Sequence, residues 1–536
     1  MTCITNTQSI PRIIHQTWHS PTYEDGQGTP ESWQALNPDW QYRLWLDADL
    51  EAFVAEQYPD LIGLYRDYPT AVQRADLGRY LLLHHFGGIY ADMDTDCLAP
   101  LDALAEQRRI VLCEEPRANW PALAPLGLER LLFNGTMASP AGHPFWLHLA
   151  QMAWRSRHAA RKNVLLSTGP VLLTAAVERW SVPEDFSMNS CHLFAPVDSH
   201  GRPAEDPMSG DLAALRLSRH NWAGNWFSEV PETRFSRLKG RLRRARVARQ
   251  SPVPPLGPEA LEALDLAQLK ARPPADELPQ IAIFTPLRDA EPFLKDHWAL
   301  IEALDWPKDK LRLVYCEGES RDDTRSRLQA FQKARAADFA GIEILGHDTG
   351  LDLPRAERWR PRHQFRRRAA LASVRNHLIG KGLSDGDDWV LWLDVDVCAA
   401  PDDLLQQLLA AKAKIVTPDC VLTPGGPSYD MNASLDYGRP RDSEYYKYFL
   451  DGLFQPPANY EHRLHLHDLR FAERVELTSV GGTVLLVHGS VHRAGLGFAE
   501  RPYKGLIETE AFGRMAHDAG VPPVGLPNIE VRHVQS

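Results

Sequence analysis

The sequence predicts an α/β protein of two domains, each built on a mixed, mostly parallel sheet, and three observations predict it. In Trp389-Val390-Leu391-Trp392-Leu393-Asp394-Val395-Asp396-Val397 an apolar run leads straight into two carboxylates spaced i, i+2. A run with that many β-branched and aromatic members reads as a buried strand of an α/β sheet. The arrangement recurs much earlier, in Gly87-Gly88-Ile89-Tyr90-Ala91-Asp92-Met93-Asp94. Between the two copies lies a basic and then proline-rich stretch, which places domains at 1–230 and 279–536 and a linker at 231–278.

Length and composition bound the reading. A chain of 536 residues can bury the cores of two or three domains. Its net charge of -11 argues against a nucleic-acid binder, which would be basic. Seven cysteines, dispersed at 3, 97, 113, 191, 316, 398 and 420 without a C-x-x-C pair, exclude a disulfide scaffold and a zinc site. They point to a reducing compartment. The start, Met1-Thr2-Cys3-Ile4-Thr5-Asn6, lacks a signal-peptide pattern, and no window approaches the roughly 18 uninterrupted apolar residues of a transmembrane helix. The expectation is a cytoplasmic protein.

In the first half, Arg12-Ile13-Ile14-His15-Gln16-Thr17-Trp18 and Tyr42-Arg43-Leu44-Trp45-Leu46 read as strands. The second ends in Asp47-Ala48-Asp49, an acidic pair that reads as the cap of the helix after it. Arg74 to Phe86 reads as an amphipathic helix stopped by Gly87-Gly88, before the strand that carries Asp92 and Asp94. That order would bring Arg74 and Asp76 near the acidic pair, although an Arg/Asp pair on a solvated helix start is an equal reading.

In the connector, Arg234 to Arg249 is half basic, with Leu238, Leu242 and Ala245 at helical spacing. It reads either as a solvated linker helix, the preferred reading, or as a basic helix over 234–249 in peripheral contact with the inner face of an anionic membrane. Six prolines from Pro252 to Pro274 then mark an extended segment.

The second half opens on the strand Gln280 to Thr285 with Asp289 beyond it, a helix from Pro292 to Leu304, and a strand from Leu311 to Cys316 that ends in Glu317. Polar residues at strand ends are where a nucleotide-binding sheet places its ligand contacts. Asp322 and Asp323 read as caps of the next helix. Arg366-Arg367-Arg368 and Arg375-Asn376 lie on a basic helix before the central strand, facing the acidic site or solvent. Alternation along a strand would turn Asp394 and Asp396 to one side. There they call for a positive partner, a divalent cation first of all.

Family resemblance sharpens both halves. The run "YPTAVQRADLGRYLLLHHFGGIYADMDTDCLAPLD", then Phe133-Asn134-Gly135-Thr136-Met137, Gly142-His143-Pro144, Thr168-Gly169-Pro170 and His220-Asn221-Trp222-Ala223-Gly224-Asn225-Trp226, resembles glycosyltransferase family 32, the DXD sugar transferases. This implies a GT-A fold (Rossmann-like), a nucleotide-sugar donor and a metal at Asp92 and Asp94. It also implies donor contacts from Arg74, Asp76, Asn134 and Trp222, with Asp76 in the catalytic set. His220, in the closing motif, would serve the metal or a phosphate. Asn225 stands where a small residue such as Ser is expected.

The segments "IFTPLRDAEPFL", "RNHLIGKGLSDGDDWVLWLDVDV", "YDMN", "VGGTVLLVHGSVHRAGLGF", "IETEAFGRMAHDAG" and "GLPNIEVRHV" resemble glycosyltransferase family 62, the mannan-polymerase α-mannosyltransferases. This implies a second GT-A domain with GDP-mannose as donor. Its metal ligands would be Asp394, Asp396 and His533, its catalytic pair Glu508 and Glu510, and its donor contacts Asp289, Glu317, Arg375, Asn376 and Asn432. Together the resemblances imply a bifunctional, retaining hexosyltransferase of polysaccharide biosynthesis with one Mn2+ or Mg2+ per domain. A UDP-sugar is the other donor class, and the acceptor is a glycan or lipid-linked glycan. One half acting only as a glycan-binding scaffold, or a protein-glycosylating effector, are the alternatives.

Overall fold

A computed structural model describes residues 8–22, 30–121, 123–223, 234–248, 278–351, 353, 357, 360–438 and 440–534. Asn225, Arg249 and the proline-rich segment lie outside the described residues. The chain divides into two compact units, 1–230 with 468–471, and 231–467 with 472–536. Both are α/β with parallel-rich mixed sheets, as the sequence predicts.

The first sheet runs Gln41–Leu46, Ile13–Trp18, Gly88–Ala91, Thr136–Ser139, Ile110–Cys113, Phe186–Asn189. Only Thr136–Ser139 runs against its neighbours. The helix Ala71–Phe86 feeds the strand Gly88–Ala91 and is defined at both ends. Thr70 accepts from the amide of Gln73 in a capping box, and Gly87 ends the helix at φ 65. Gly88 must be glycine for a second reason: a Cβ there would lie 2.4 Å from the carbonyl oxygen of Ile13 on the neighbouring strand. Ile14, Ile89, Val111 and Ala138 fill one side of the sheet with Trp33 and Phe133, while Trp45 packs with the helix residues Leu77 and Leu81.

The second sheet runs Gly341–Gly346, Leu311–Glu317, Ile281–Leu287, Trp389–Leu393, Val484–His488, Ile415–Val421, Val524–His533, Val397–Ala399, with Val475–Glu476 also on Val524–His533. The first four are parallel, and Val484–His488 is antiparallel to both its neighbours. Trp389–Leu393 is buried on both faces, as its unbroken apolar run requires. Trp389, Leu391 and Leu393 enter one core with Ile281 and Leu313, and Val390 and Trp392 enter the other with Phe284 and Phe512.

Three local expectations resolve against these sheets. The Asp47/Asp49 pair opens the helix Asp47–Gln57, with Asp49 accepting from the Leu46 amide at 3.3 Å. Asp322 accepts from the amides of Thr324 and Glu291, both at 3.1 Å, so it ties two helix starts together. The two DxD pairs require a correction. Each lies beyond its strand, in a turn closed by Thr95 N to Asp92 O at 3.2 Å and by Val397 N to Asp394 O at 3.3 Å. A reverse turn, rather than strand alternation, presents the carboxylates.

Candidate active sites

In the first unit, Asp92 and Asp94 are fixed by their backbones. The Asp92 amide donates to Gly135 O at 2.8 Å, and Asp94 O accepts from Asn221 N at 2.8 Å. Asp94 Oδ2 takes the Ala223 amide at 2.9 Å. His220 arrives on the strand Ser218–His220, which pairs with Thr95–Cys97 just after the turn. Its Nε2 lies 3.1 Å from Asp94 Oδ1 and 3.8 Å from Asp92 Oδ2. The metal-type atoms of Asp92, Asp94 and His220 all fall within 4.8 Å of one another. The Trp222 amide donates to His220 Nδ1 at 3.1 Å, so the neutral ring carries its proton on Nε2, facing the carboxylates. Burial opposes a charge on the ring, but Asp92 and Asp94 outweigh it and raise its hold on the proton.

A buried guanidinium completes this site. Arg79 NH2 lies 3.1 Å from both Asp76 Oδ1 and Asp92 Oδ1, and NH1 donates to Asn134 O at 2.9 Å. Asp76 also accepts from Asn134 Nδ2 at 3.1 Å and Thr168 Oγ1 at 2.8 Å. Burial nevertheless pushes its pKa up to about 6, against the pull of Arg79. Tyr90 OH donates to Asp92 Oδ1 at 2.9 Å. The sequence reading placed Asp76, Asn134, Asp92, Asp94 and His220, and the fold brings them together. Arg74 instead donates to Tyr68 O at 2.9 Å, and the Trp222 indole donates to Val197 O at 2.9 Å while its ring packs on His220.

The second unit repeats the plan with different parts. The Asp394 amide donates to Thr483 O at 2.9 Å, at the head of the antiparallel strand, as Asp92 does to Gly135. Arg375, on the helix Gln364–Gly382, reaches Asp394 Oδ1 and Glu508 Oε1, each at 3.3 Å. Its guanidinium also lies 5.2 Å from the Trp392 ring. His533 Nε2 lies 3.1 Å from Asp396 Oδ1. Here Nδ1 donates to Val534 O at 2.7 Å, so Nε2 is the nitrogen that is bare in the neutral ring. Burial opposes a charge on this ring too, but the Asp396 carboxylate outweighs it, and the ring holds its second proton more firmly than usual. Tyr429 packs over the His533 ring at 4.1 Å.

The second site is rich in negative charge. Burial, together with Asp396, Asp430 and Glu508, outweighs Arg375 and pushes Asp394 up to about 7. Asp430 is pinned by the Gly482 and Thr483 amides at 3.0 and 3.2 Å and by Thr483 Oγ1 at 2.8 Å. Glu508 begins the helix Glu508–Asp518 at φ 56, a conformation L-residues seldom adopt. Arg368 joins Glu508 at 3.5 Å and Glu510 at 2.5 Å, and Arg463 takes the other Glu510 oxygen at 2.9 Å.

Asp289 and Glu317 follow Ile281–Leu287 and end Leu311–Glu317, at the same sheet edge as Asp394. Asp289 accepts from the Arg321 amide at 2.8 Å, and Glu317 pairs with Arg325 at 2.9 Å. Asn376 directs its amide to Phe498 O and Glu500, and the Asn432 backbone is bonded to Asp430 and Ser479.

Both halves of the chain match known families. Residues 24–111 match the glycosyltransferase sugar-binding region containing DXD motif, and residues 260–502 match Anp1. Among curated relatives, inositol phosphoceramide mannosyltransferase 3 of Schizosaccharomyces pombe is 34% identical over 176 residues, 32% of this chain and 46% of that protein. The chain therefore spans about half the length of that relative. Mannan polymerase complex subunit mnn9 of the same yeast is 28% identical over 300 residues, 52% of this chain and 87% of the subunit. Among solved structures, a mannosyltransferase from Pyrobaculum calidifontis, determined with GDP-Man and Mn2+, is 14% identical. The match covers 56% of this chain and 65% of that one, with a TM-score of 0.28. The resemblances read from the sequence hold in both halves, and the glycosyltransferase class is that of the matched sugar-binding region and of these relatives.

Proposed function

We propose that this chain, with its DXD glycosyltransferase region in the first half and its Anp1 region in the second, is a bifunctional, metal-dependent retaining glycosyltransferase. It adds two sugars to a growing surface or capsular glycan, with mannose from GDP-mannose as the sugar of the second site. The acceptor is a glycan or lipid-linked glycan. The observation that carries this reading is the repeated constellation: a carboxylate turn, a histidine on its second Asp, and an arginine bridging its first Asp to another buried acid.

The donor sets fit a hard divalent cation. Asp394 and Asp396, with the lone pair of His533, make an oxygen and imidazole set suited to Mn2+. The raised pKa of Asp394 marks a site short of positive charge. In the first unit Asp92 and Asp94 are the oxygen ligands, and His220 offers an N–H to a donor phosphate. A bound Mn2+ or Mg2+ would supply Lewis-acid neutralisation of the leaving diphosphate.

The chain's own groups do the rest. Arg79 and Arg375 hold the first Asp of each pair in place and lend positive charge to the donor side. Asp289 and Glu317 line the sheet edge where the nucleoside lies. Glu508, held in its strained conformation by Arg375 and Arg368, faces the sugar end of the second site. Glu510, with both oxygens on guanidiniums, positions Arg368 and Arg463. The bond from the anomeric carbon to the diphosphate oxygen breaks as the acceptor hydroxyl attacks the same face, and the hydroxyl proton leaves with the phosphate. Mass spectrometry after incubation with donor alone checks this route: a covalent glycosyl-enzyme would contradict it. The activity itself is tested by nucleoside diphosphate release from a panel of GDP- and UDP-sugars with Mn2+, where turnover of GDP-mannose is expected and silence on every sugar would sink the reading.

A further inference from the structure

The basic segment of the connector forms the helix Arg234–Ala248, and the structure shows which side of it the protein uses. It packs within the second unit against Asp442–Tyr445. Gly240 is buried at that contact, where a Cβ would come within 2.6 Å of Asp442 Cβ, and Arg244 pairs with Asp442 at 3.5 Å. Close approach through a glycine fixes the rotation of the helix.

That rotation turns the apolar residues outward. Phe235, Leu238 and Leu242, at i, i+3 and i+7, share the side opposite Gly240. Among the described residues nothing covers them, and they are 66%, 56% and 65% exposed. An amphipathic helix packed on its own protein would turn this face inward; here the inward face is the glycine and the outward face is the apolar one. Lys239, Arg241 and Arg246 flank the ridge and are exposed, with Lys239 set 4.5 Å over the Phe235 ring. The helix carries no acidic residue, in a chain whose net charge is -11.

We infer that this face is a docking surface for an anionic lipid bilayer, with the three apolar side chains seated between acyl chains and the flanking cations on the headgroups. The pairing of an apolar ridge with lateral lysine and arginine is the chemistry of interfacial helices. A nucleic acid would match the charge but leave the ridge in water, and a second copy of this face would set like charges against each other. The inference is independent of the sugar chemistry. It adds that the enzyme works at a membrane surface, where a lipid-linked acceptor would be presented.

Vesicle flotation of the full chain tests it, with phosphatidylcholine alone and with phosphatidylcholine mixed with phosphatidylglycerol. Wild type is expected to float with the anionic vesicles only. Leu238→Ser with Leu242→Ser should abolish flotation. Arg241→Ser with Arg246→Ser should lower partitioning roughly 25-fold, since each cation at an anionic surface contributes about fivefold. Both variants touch only exposed side chains and should keep wild-type nucleoside diphosphate release and thermal unfolding. Absence of flotation overturns the inference, and so does flotation that survives loss of both leucines. Leucine-dependent dimerisation without vesicles, or nucleic-acid binding by wild type in place of flotation, also overturns it by assigning the face to another occupant.

Discussion

The two carboxylate turns are alike in layout and differ in how their histidines are wired. His220 and His533 each stand 3.1 Å from the second Asp of the pair. The difference lies on the far side of the ring. Nδ1 of His220 accepts from a backbone amide, whereas Nδ1 of His533 donates to a backbone carbonyl. In the neutral rings one bond therefore leaves a proton facing the site and the other leaves a lone pair for a metal to take. The second acid on the arginine differs in kind but not in burial: Asp76 is 4% exposed and Glu508 7%. Two sites with the same motif thus acquire different chemistry from backbone partners that the motif does not contain.

The largest effect is on stability, and there the two sites should behave alike. Arg79→Met strands Asp76 and Asp92 without their counter-charge in a buried setting and should cost about 3–5 kcal/mol, the range for breaking a buried ion pair. Arg375→Met strands Glu508, 7% exposed, and Asp394 in the same way and should cost as much, about 3–5 kcal/mol. Denaturant unfolding of the two variants measures both losses, and a loss confined to one of them would break the likeness. Metal affinity separates the sites next. His533→Ala should lower Mn2+ affinity of the second site at least ~10-fold, while His220→Ala should leave the first site's affinity within a few-fold and lower its turnover. Calorimetric titration of each variant decides, and an equal loss at His220 would make both histidines ligands.

The smallest effect is a pH dependence. Asp394, raised to about 7 in the metal-free protein, holds a proton between its unfolded value near 3.8 and that pH. The folded state then binds more protons than the unfolded one, so this group's contribution to stability declines as pH rises through that window. Metal must displace the same proton, so Mn2+ affinity of the second site should fall by up to about tenfold per pH unit below 7. Asp94, held below the ordinary carboxylate range because His220 and the Ala223 amide outweigh its burial, carries no such proton. Titrations at several pH values on Asp94→Asn and Asp396→Asn would show whether the slope belongs to the second site.

Much of this was legible in the residues. The strand Trp389–Leu393 coincides with its apolar run because a doubly buried strand has no polar face to blur its ends. The helix before Asp92 was readable from its Gly87-Gly88 stop. The turns were not, since Asp-x-Asp fits a strand's alternation as well as the first position of a reverse turn, where Asp is common. The Asp76/Arg79 spacing of i, i+3 was visible on the helix, but the carbonyl of Asn134 that fixes Arg79 lies 55 residues away. Arg463 and Asp430 find their partners 47 and 52 residues distant, in Glu510 and Gly482, so no local pattern announces either. Arg74 and Asn376 had the right composition and neighbourhood, and their side chains bond to loops instead.

The central claim is that the chain holds two working sites. The direct measurement is product analysis with Mn2+, a simple glycoside acceptor and a panel of GDP- and UDP-sugars, for wild type beside Asp94→Asn and Asp396→Asn. The account predicts that each variant loses a different transfer, either of a different donor sugar or of one of two successive additions from the same donor. If Asp94→Asn matches wild type in every product and only Asp396→Asn is inactive, the first unit is a binding module and the claim of two sites is wrong.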